Sequence, residues 1–267
     1  MNLNLKMKSS LIIATYNWHE ALELVFKSIL KQSRLPQEIL IADDGSSEDT
    51  KLLIENFQKI CPVPLKHIWH EDNGFQKAVI LNKAVSHAIG EYIIQVDGDC
   101  ILHPHFIRDH ITKAEKGVYL YGSRVNIEQG YLPTLFDKQQ VDFSFLSAGI
   151  KKRTRAIYSS LLSKKYKSHN TFSKKYRGCN TSFFKSDFIS VNGYNEEFKG
   201  WGREDSELAI RFHNNGVLAK RLRYCGIVYH IYHKELSKNN LNTNNKIEVD
   251  TIENSRVWCV NGVDKYL

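Results

Sequence analysis

Asp97 and Asp99 stand one glycine apart in Asp97-Gly98-Asp99, at the end of the apolar run Tyr92-Ile93-Ile94-Gln95-Val96. Gly98 lacks a Cβ, so the backbone can turn tightly there and approach a ligand closely. Hard carboxylate oxygens on a short turn suit Mg2+ or Mn2+, with a nucleotide phosphate to complete the shell. An ordinary Asp-Gly turn after a strand is the plainer alternative. A second acidic pair, Glu204-Asp205, opens a segment of helical periodicity, where the helix dipole favours ionised carboxylates. Adjacent residues on a helix project about 100° apart, so only one of the two can face a given hydroxyl. His230 and His233 add two imidazoles near the end of an apolar run. In an extended chain such residues point to opposite faces, so both could share one ligand only across a bend.

These groups need a frame that gathers them. Strand and helix signals alternate through the first 125 residues. Strands are expected at Ser10–Thr15, Glu38–Ala42, Leu65–Trp69, Glu91–Asp97 and Val118–Val125. Helices are expected at His19–Gln32, from about Ser47, at Gln76–Ala88, and from Pro104 to Lys116. Such repetition predicts an α/β fold with a mostly parallel sheet flanked by helices, and ligands sit at the carboxyl ends of its strands. Thr15 and Asn17, Asp43 and Asp44, and Asp97 and Asp99 follow three of those strands, so three polar clusters converge on one edge. No G-x-G-x-x-G and no G-x-x-x-x-G-K-[ST] occurs, which argues against a Rossmann dehydrogenase and a P-loop NTPase. A carboxylate site can hold a diphosphate only through a bridging cation.

Residues 126–177 show weak periodicity and several aromatics, and read as a basic insertion or flexible flap with one helix around Ala156–Lys165. Strand character resumes at Gly178–Phe184, a helix follows from Glu204, and Tyr224–Tyr232 is a last apolar strand. The chain thus divides into a first half (1–125), the basic segment (126–177), a second half (178–235) and a tail (236–267). That tail reads as loop, apart from an amphipathic piece around Ile252–Val260. Net charge is +8, and no acidic residue occurs between Asp142 and Asp187 while lysines and arginines crowd Lys151 to Arg177. Such a run either contacts an anion (nucleic acid, anionic lipid or a phosphorylated substrate) or is simply solvated. Five cysteines without a CxxC argue against a disulfide framework or a zinc ribbon and fit a reducing compartment. No run of 18 apolar residues is present, so a cytoplasmic protein without a membrane span is expected.

Taken together, Ala14-Thr15-Tyr16-Asn17, Asp43-Asp44-Gly45-Ser46, Asp72-Asn73-Gly74-Phe75-Gln76-Lys77-Ala78 and Asp97-Gly98-Asp99 resemble, in that order, the family 2 glycosyltransferases of GT-A fold. Downstream, Gly178-Cys179-Asn180-Thr181-Ser182, Gly200-Trp201-Gly202-Arg203-Glu204-Asp205-Ser206-Glu207 and His230-Ile231-Tyr232-His233 look like the segment shared with β-1,4-galactosyltransferases and bacterial chondroitin-type polymerases. The resemblance covers roughly residues 9–235. It implies a GT-A fold in which a nucleotide-sugar-binding half precedes a smaller acceptor-binding and catalytic part. Ala14, Thr15, Asn17, Asp43 and Asp44 would then border the donor's base and ribose. Lys77 would lie near the diphosphate or Asp97, and Asp97 at the ribose or metal. Asp99 would bind Mn2+ or Mg2+, with His233 at the family's late ligand position and His230 at a variable one. Trp201 would stack on the acceptor sugar, with Asn180, Gly202, Arg203 and Glu204 around it, and Asp205 would be the general base.

The implied reaction is a single displacement with inversion, from a nucleotide-sugar donor carrying, on a weak tilt, a UDP-linked hexose or N-acetylhexosamine. The acceptor would be a saccharide or lipid-linked, in surface polysaccharide or lipopolysaccharide synthesis, with peripheral contact to an anionic inner membrane face and no nucleic acid partner. A sugar nucleotidyltransferase would want a Gly-rich amino-terminal loop with a basic residue, absent here. A non-catalytic carbohydrate-binding module would leave the Asp and His clusters without a task.

Overall fold

Every residue of Ser9–Thr15 (β1) is buried, and a strand buried on both faces must lie inside a sheet that helices cover on both sides. Its side chains alternate accordingly: Leu11 and Ile13 join one apolar cluster, Ile12 and Ala14 the other. Burying each such Leu or Ile contributes about 1.5–3 kcal/mol. The computed structural model describes residues 7–234 and 240–267.

After β1 come helix His19–Ile29 (α1), strand Glu38–Asp43 (β2), helix Glu48–Gln58 (α2) and strand Leu65–Trp69 (β3). Helix Lys77–His87 (α3), strands Tyr92–Asp97 (β4) and Cys100–Leu102 (β5), and helix Phe106–Lys113 (α4) follow. Next are strands Val118–Gly122 (β6) and Arg124–Ile127 (β7), helix Leu132–Asp137 (α5), strand Ile150–Lys151 (β8), helix Ser160–Ser163 (α6) and strand Ser168–His169 (β9). The remainder comprises Asn180–Phe184 (β10), Lys185–Ser190 (α7), Glu204–Asn214 (α8), Leu218–Leu222 (β11), Val228–His230 (β12) and Leu241–Glu253 (α9).

The large sheet runs β3-β2-β1-β4-β10-β6-β11-β9. Strands β1 to β4 are mutually parallel where they pair, and β6 pairs parallel with β11. Only β10 and β9 run against their neighbours. Because β10 is antiparallel to both β4 and β6, the carboxyl ends of β2, β1, β4, β6 and β11 share one edge with the amino end of β10. A small sheet, β5-β12-β7-β8, lies beside it. Its core is Ile101, Val125, Ile127, Ile150 and Tyr229 with Ala21 and Leu24 of α1.

Several elements depart from the expected ones. Val118–Val125 is two strands, because the chain leaves the large sheet after Gly122 and enters the small one at Arg124. Gly122 is tight against Asn180, whose amide nitrogen would lie 2.2 Å from any Cβ there. Within 126–177, Leu135, Val141, Ile150 and Ala156 are buried core, so this stretch is not a bare flap; it carries α5 as well, and the helix expected at 156–165 is the short α6. Its apolar residues are too widely spaced to show a period. The strand expected at Tyr224–Tyr232 shrinks to β12, after positive φ angles at Tyr224 and Gly226.

The loop expected in the tail is replaced by α9, packed on α8; the tail's start at Glu235 lies outside the described residues. The inward face of α9 is polar, with Asn244, Glu248 and Thr251 buried, which hid it from a hydrophobic period. Asn244 Nδ2 donates to the carbonyls of Lys199 and Gly202 at 3.1 and 2.9 Å. The amphipathic piece expected at Ile252–Val260 is not one element, since α9 ends at Glu253 and both Ile252 and Val260 are exposed.

Candidate active site

Strand register sets the geometry of the carboxyl edge. Ala14 of β1 pairs with Asp97 of β4, and the Gly98 N–H donates to the Ala14 carbonyl at 2.7 Å. A Cβ on Gly98 would stand 3.0 Å from Thr15 Oγ1, so glycine lets the two strand ends close up. The turn then sends Asp97 and Asp99 to different neighbours. Asp97 Oδ1 accepts from Lys77 Nζ at 2.7 Å, whereas Asp99 faces the two histidines.

His230 Nε2 lies 3.4 Å and His233 Nε2 3.3 Å from the same oxygen, Asp99 Oδ2. The bend that both histidines need is present: β12 ends at His230, and the Ile231 N–H then donates to the Asp99 carbonyl at 2.9 Å. His233 Nδ1 sits 2.8 Å from the Lys234 carbonyl. A carbonyl only accepts, so Nδ1 carries the hydrogen and Nε2 is turned toward Asp99. Burial would raise the Asp99 carboxyl, but His230 and then His233 overcome it and hold it down to about 2. The hydrogen bond to Asp99 lifts His233 to about 9, while burial keeps His230 below its ordinary value. The charge opposite Asp99 therefore rests on His233. A divalent cation could stand in for that proton: all three donor atoms lie within 4.8 Å of one another. One carboxylate and two imidazoles suit Mn2+ better than Mg2+, which prefers oxygen.

The second carboxylate group gathers at the start of α8. Asp205 Oδ2 accepts the Gly178 N–H at 2.9 Å, and Asp205 Oδ1 is buried without a protein partner. Glu204 is 5% exposed and accepts the Gly202 N–H at 3.0 Å. Burial, and then the Asp205 charge, raise Glu204 to about 7. Burial also raises Asp205, but Lys77 and the Gly178 N–H oppose it. Both carboxyls are thus raised by burial, and the Lys77 ammonium is the first group that draws Asp205 back toward its charged form. Lys77 opposes its own burial by facing Asp97, Asp205 and Glu204, which keep it charged. That ammonium at the start of α3 links the two acidic centres. A Cβ at Gly178 would fall 2.1 Å from Asp205 Oδ1, so only glycine leaves room for this carboxylate.

At the β1–β2 side, Asn17 takes a left-handed φ of 45°. Its N–H donates to Ser46 Oγ and its Oδ1 accepts the Ser47 N–H, which clamps the two strand-end loops together. Asp44 accepts from His70 Nε2 at 2.7 Å and from the Gln76 N–H at 2.9 Å, which fixes the entry to α3. Asp43 is fully buried; its oxygens are taken by the Ser46 N–H and His67. Ala14 and Thr15 are each 8% exposed at the strand end.

Two of the expected acceptor residues are placed otherwise than their assignment requires. Asn180 is 1% exposed, with Nδ2 donating to the Gly226 carbonyl at 2.8 Å and Oδ1 3.1 Å from His110 Nε2. It braces the amino end of β10 and has no free face for a sugar. Arg203 turns to α9, where Nε donates to Asn245 Oδ1 at 2.7 Å and Nη1 pairs with Glu248 at 3.3 Å. Asp43, expected at the donor, likewise shapes the loop from within. Trp201, by contrast, is 38% exposed beside Gly202 at the start of α8, open to a ring stacked on it. The motifs did not announce the Gly178 N–H, the His70–Asp44 bond or Arg124, whose guanidinium neighbours Cys179, Cys100 and Asp99. Backbone donors and cross-chain pairs leave no mark in residue types alone.

Comparison with known proteins bears on this arrangement. The family described as Glycosyl transferase family 2 matches residues 10–186, and one described as N-terminal domain of galactosyltransferase matches residues 158–234. Chondroitin synthase of Pasteurella multocida is 23% identical over 85% of this chain and 25% of its own length. A GalNAc(5)-diNAcBac-PP-undecaprenol beta-1,3-glucosyltransferase of Campylobacter jejuni is 28% identical over 72% of this chain and 56% of its own. The chain spans about half the length of such relatives, or less. Among solved structures, S. aureus TarS 1-349 in complex with UDP superposes with a TM-score of 0.63 at 17% identity, over 93% of this chain and 66% of that one. Mannosyltransferase PcManGT of Pyrobaculum calidifontis, with GDP-Man and Mn2+, does so at 0.58 and 17%, over 86% and 58%. The fold is the GT-A fold of these transferases.

Proposed function

The chain belongs to glycosyl transferase family 2, and from that premise we propose that it transfers a sugar, with inversion, from a nucleotide-sugar donor to a saccharide or lipid-linked acceptor. The observation that carries this reading is the Asp205 carboxylate, held by the Gly178 N–H on one oxygen and left buried and unpartnered on the other. A buried carboxylate with a free oxygen suits a general base for an acceptor hydroxyl. Lys77 favours the charged form of Asp205, and Glu204, raised to about 7 by burial and by Asp205, can donate to the acceptor while it holds its proton. Trp201 offers its exposed ring to the acceptor's apolar face.

Asp99, His230 and His233 would hold Mn2+ or, less suitably, Mg2+, and the cation would supply stabilisation of the charge that grows on the leaving nucleoside diphosphate. Asp97 then serves the donor's ribose while Lys77 orients it. Ala14, Thr15, Asn17 and Asp44 border the nucleoside from the ends of β1 and β2. The galactosyltransferase match at residues 158–234 favours a UDP-linked hexose or N-acetylhexosamine. Relatives named for chondroitin and for undecaprenol-linked glycans support a role in surface polysaccharide or lipopolysaccharide synthesis. No helix among the described residues is long and apolar enough to cross a membrane, which is compatible with cytoplasmic work at the inner membrane face.

The test is Asp205→Asn. Transfer falls at least a thousandfold while the dissociation constant for UDP with Mn2+ stays within twofold of wild type. Near-normal turnover in that variant rules Asp205 out as the base.

A further inference from the structure

The cationic run of the sequence has no part in the chemistry above, yet the fold gives part of it a common address. Arg155 and Arg177 from that run meet Arg124 and Arg221 around a cavity of about 130 Å3. Lys152, Lys174 and Lys175, with Gly122 and Ser123, complete the lining, and no carboxylate contributes to it. Among the described residues no ion pair ties any of these cations to an acid. Like charges gathered this closely repel one another. Burial, and then the neighbouring guanidinium groups, lower both Lys152 and Arg155.

The guanidinium groups are nonetheless fixed. Arg155 Nη1 donates to the Arg124 carbonyl at 3.0 Å, Arg177 Nη1 to the Lys174 carbonyl at 2.9 Å, and Arg221 Nη2 to Ser123 Oγ at 3.0 Å. Arg221 Nε is buried without a partner. Held forks with N–H groups to spare match phosphate oxygens in pairs. So many charges far exceed what one carboxylate would neutralise, whereas a diphosphate carries several.

Position decides whose phosphate it is. Gly122 ends β6 and Arg221 lies one residue from the end of β11, on the far side of β4 and β10 from the β1–β2 nucleoside border. Arg177 directly precedes Gly178, whose N–H holds Asp205. The cavity therefore adjoins the base on the side away from the nucleoside border, with Arg124 also facing Asp99.

We propose that this cavity binds a phosphate or diphosphate group of the acceptor, so that the acceptor is a glycosyl phosphate or diphosphate. The assignment rests on the transferase reading for the word acceptor, but the anion site stands on its own geometry. The triple variant Arg155→Ala, Lys174→Ala, Lys175→Ala removes three cations and touches none of the groups assigned to donor, metal or base. Sodium pyrophosphate is titrated calorimetrically into metal-free protein, in which the donor's carboxylate site has no cation to hold a diphosphate. Wild type binds, and the triple variant binds at least tenfold more weakly, with UDP affinity in the presence of Mn2+ and the rate of nucleotide-sugar hydrolysis both within twofold of wild type. Equal pyrophosphate binding by the two proteins overturns the proposal. So does a parallel loss of UDP affinity, which would assign the cavity to the donor. A variant that keeps pyrophosphate binding but loses co-sedimentation with phosphatidylglycerol vesicles would mark a membrane-facing surface instead and also overturns it. If wild type shows neither UDP binding nor nucleotide-sugar turnover, the transferase reading fails, and the pyrophosphate result still decides the anion site.

Discussion

The Gly178 N–H donates to Asp205 Oδ2 at 2.9 Å, and the missing side chain of Gly178 is what lets Asp205 Oδ1 occupy its place. The turn that leads into strand β10 and helix α8 meet through this pair. Gln95 of β4 stiffens it, since its Nε2 donates to the Gly178 carbonyl at 3.0 Å and to Tyr194 Oη at 2.8 Å. A general base is effective only when its oxygen lies within hydrogen-bond reach, about 2.6–3.2 Å, of the hydroxyl whose proton it removes.

Gly178→Ala should therefore act on catalysis more than on folding. The added methyl would lie 2.1 Å from Asp205 Oδ1, so the carboxylate must move. A displacement of about 1 Å at a reacting group can cost about 100-fold in rate. Steady-state kinetics should show kcat reduced by about that factor, with UDP affinity unchanged because the donor border lies on β1 and β2. A kcat within threefold of wild type would mean that Asp205 need not hold this position.

Glu204 gives a pH signature. Its carboxyl is raised from an ordinary 4.5 to about 7 by burial and by Asp205, so the folded protein binds this proton more tightly than the unfolded chain does. Stability from this group is then full below pH 4.5 and declines as pH rises toward 7. Glu204→Gln keeps an oxygen for the Gly202 N–H but carries no titrating proton. Thermal melts at pH 5 and pH 7.5 should show the variant gaining on wild type at the higher pH. A constant difference between the two proteins at both pH values would place Glu204 in a solvated setting.

Much of this site was legible in the residues, and the limits have physical causes. Apolar runs followed by polar residues located β1, β2 and β4, because buried parallel strands must be apolar throughout and their carboxyl ends must not be. Asp97, Asp99 and the two histidines stand out because few other residue types can ligate a cation, whereas the roles expected of Lys77 and Asp205 come from the family resemblance. What escaped was carried by groups with no periodic or compositional mark. Helix α9 buries Asn244, Glu248 and Thr251, so it looked like solvated chain. Asn180, Arg203 and Asp43 have the polar types expected of ligand contacts, yet spend their hydrogen bonds on the protein itself. The meeting of His230 with His233 needed a bend that an alternating strand pattern excludes.

The same bend supplies a metal test. His233 Nδ1 is anchored on the Lys234 carbonyl and its Nε2 faces Asp99. His233→Ala and Asp99→Asn should each weaken Mn2+ binding at least tenfold, measured as the Mn2+ concentration that stabilises the UDP-saturated protein to heat. Excess EDTA should abolish transfer by wild type. Unchanged Mn2+ dependence in both variants would remove these residues from any metal site.

Helix α8 carries Asp205 at one end, and its hold on the rest of the fold can be tested through Glu207 and Arg211. Both are essentially fully buried, at 1% and 0% exposure. Arg211 Nε and Nη2 donate to the two Glu207 oxygens, each at 2.7 Å, and the guanidinium also donates to the Val191 and Gly193 carbonyls. Thr251 of α9 adds a hydrogen bond to Glu207 Oε1 at 3.1 Å. This pair therefore joins α8, the turn after α7 and α9 at one point. Glu207→Gln leaves the guanidinium buried with its counter-charge gone, and breaking a buried pair from one side costs about 3–5 kcal/mol. Chemical denaturation should show that loss as a lower midpoint with unchanged slope. Glu207→Met with Arg211→Met, which removes both charges at once, should recover at least half of it. If the single variant loses less than about 1 kcal/mol, within the range of an exposed pair, the ion pair does not anchor the helix that presents Asp205.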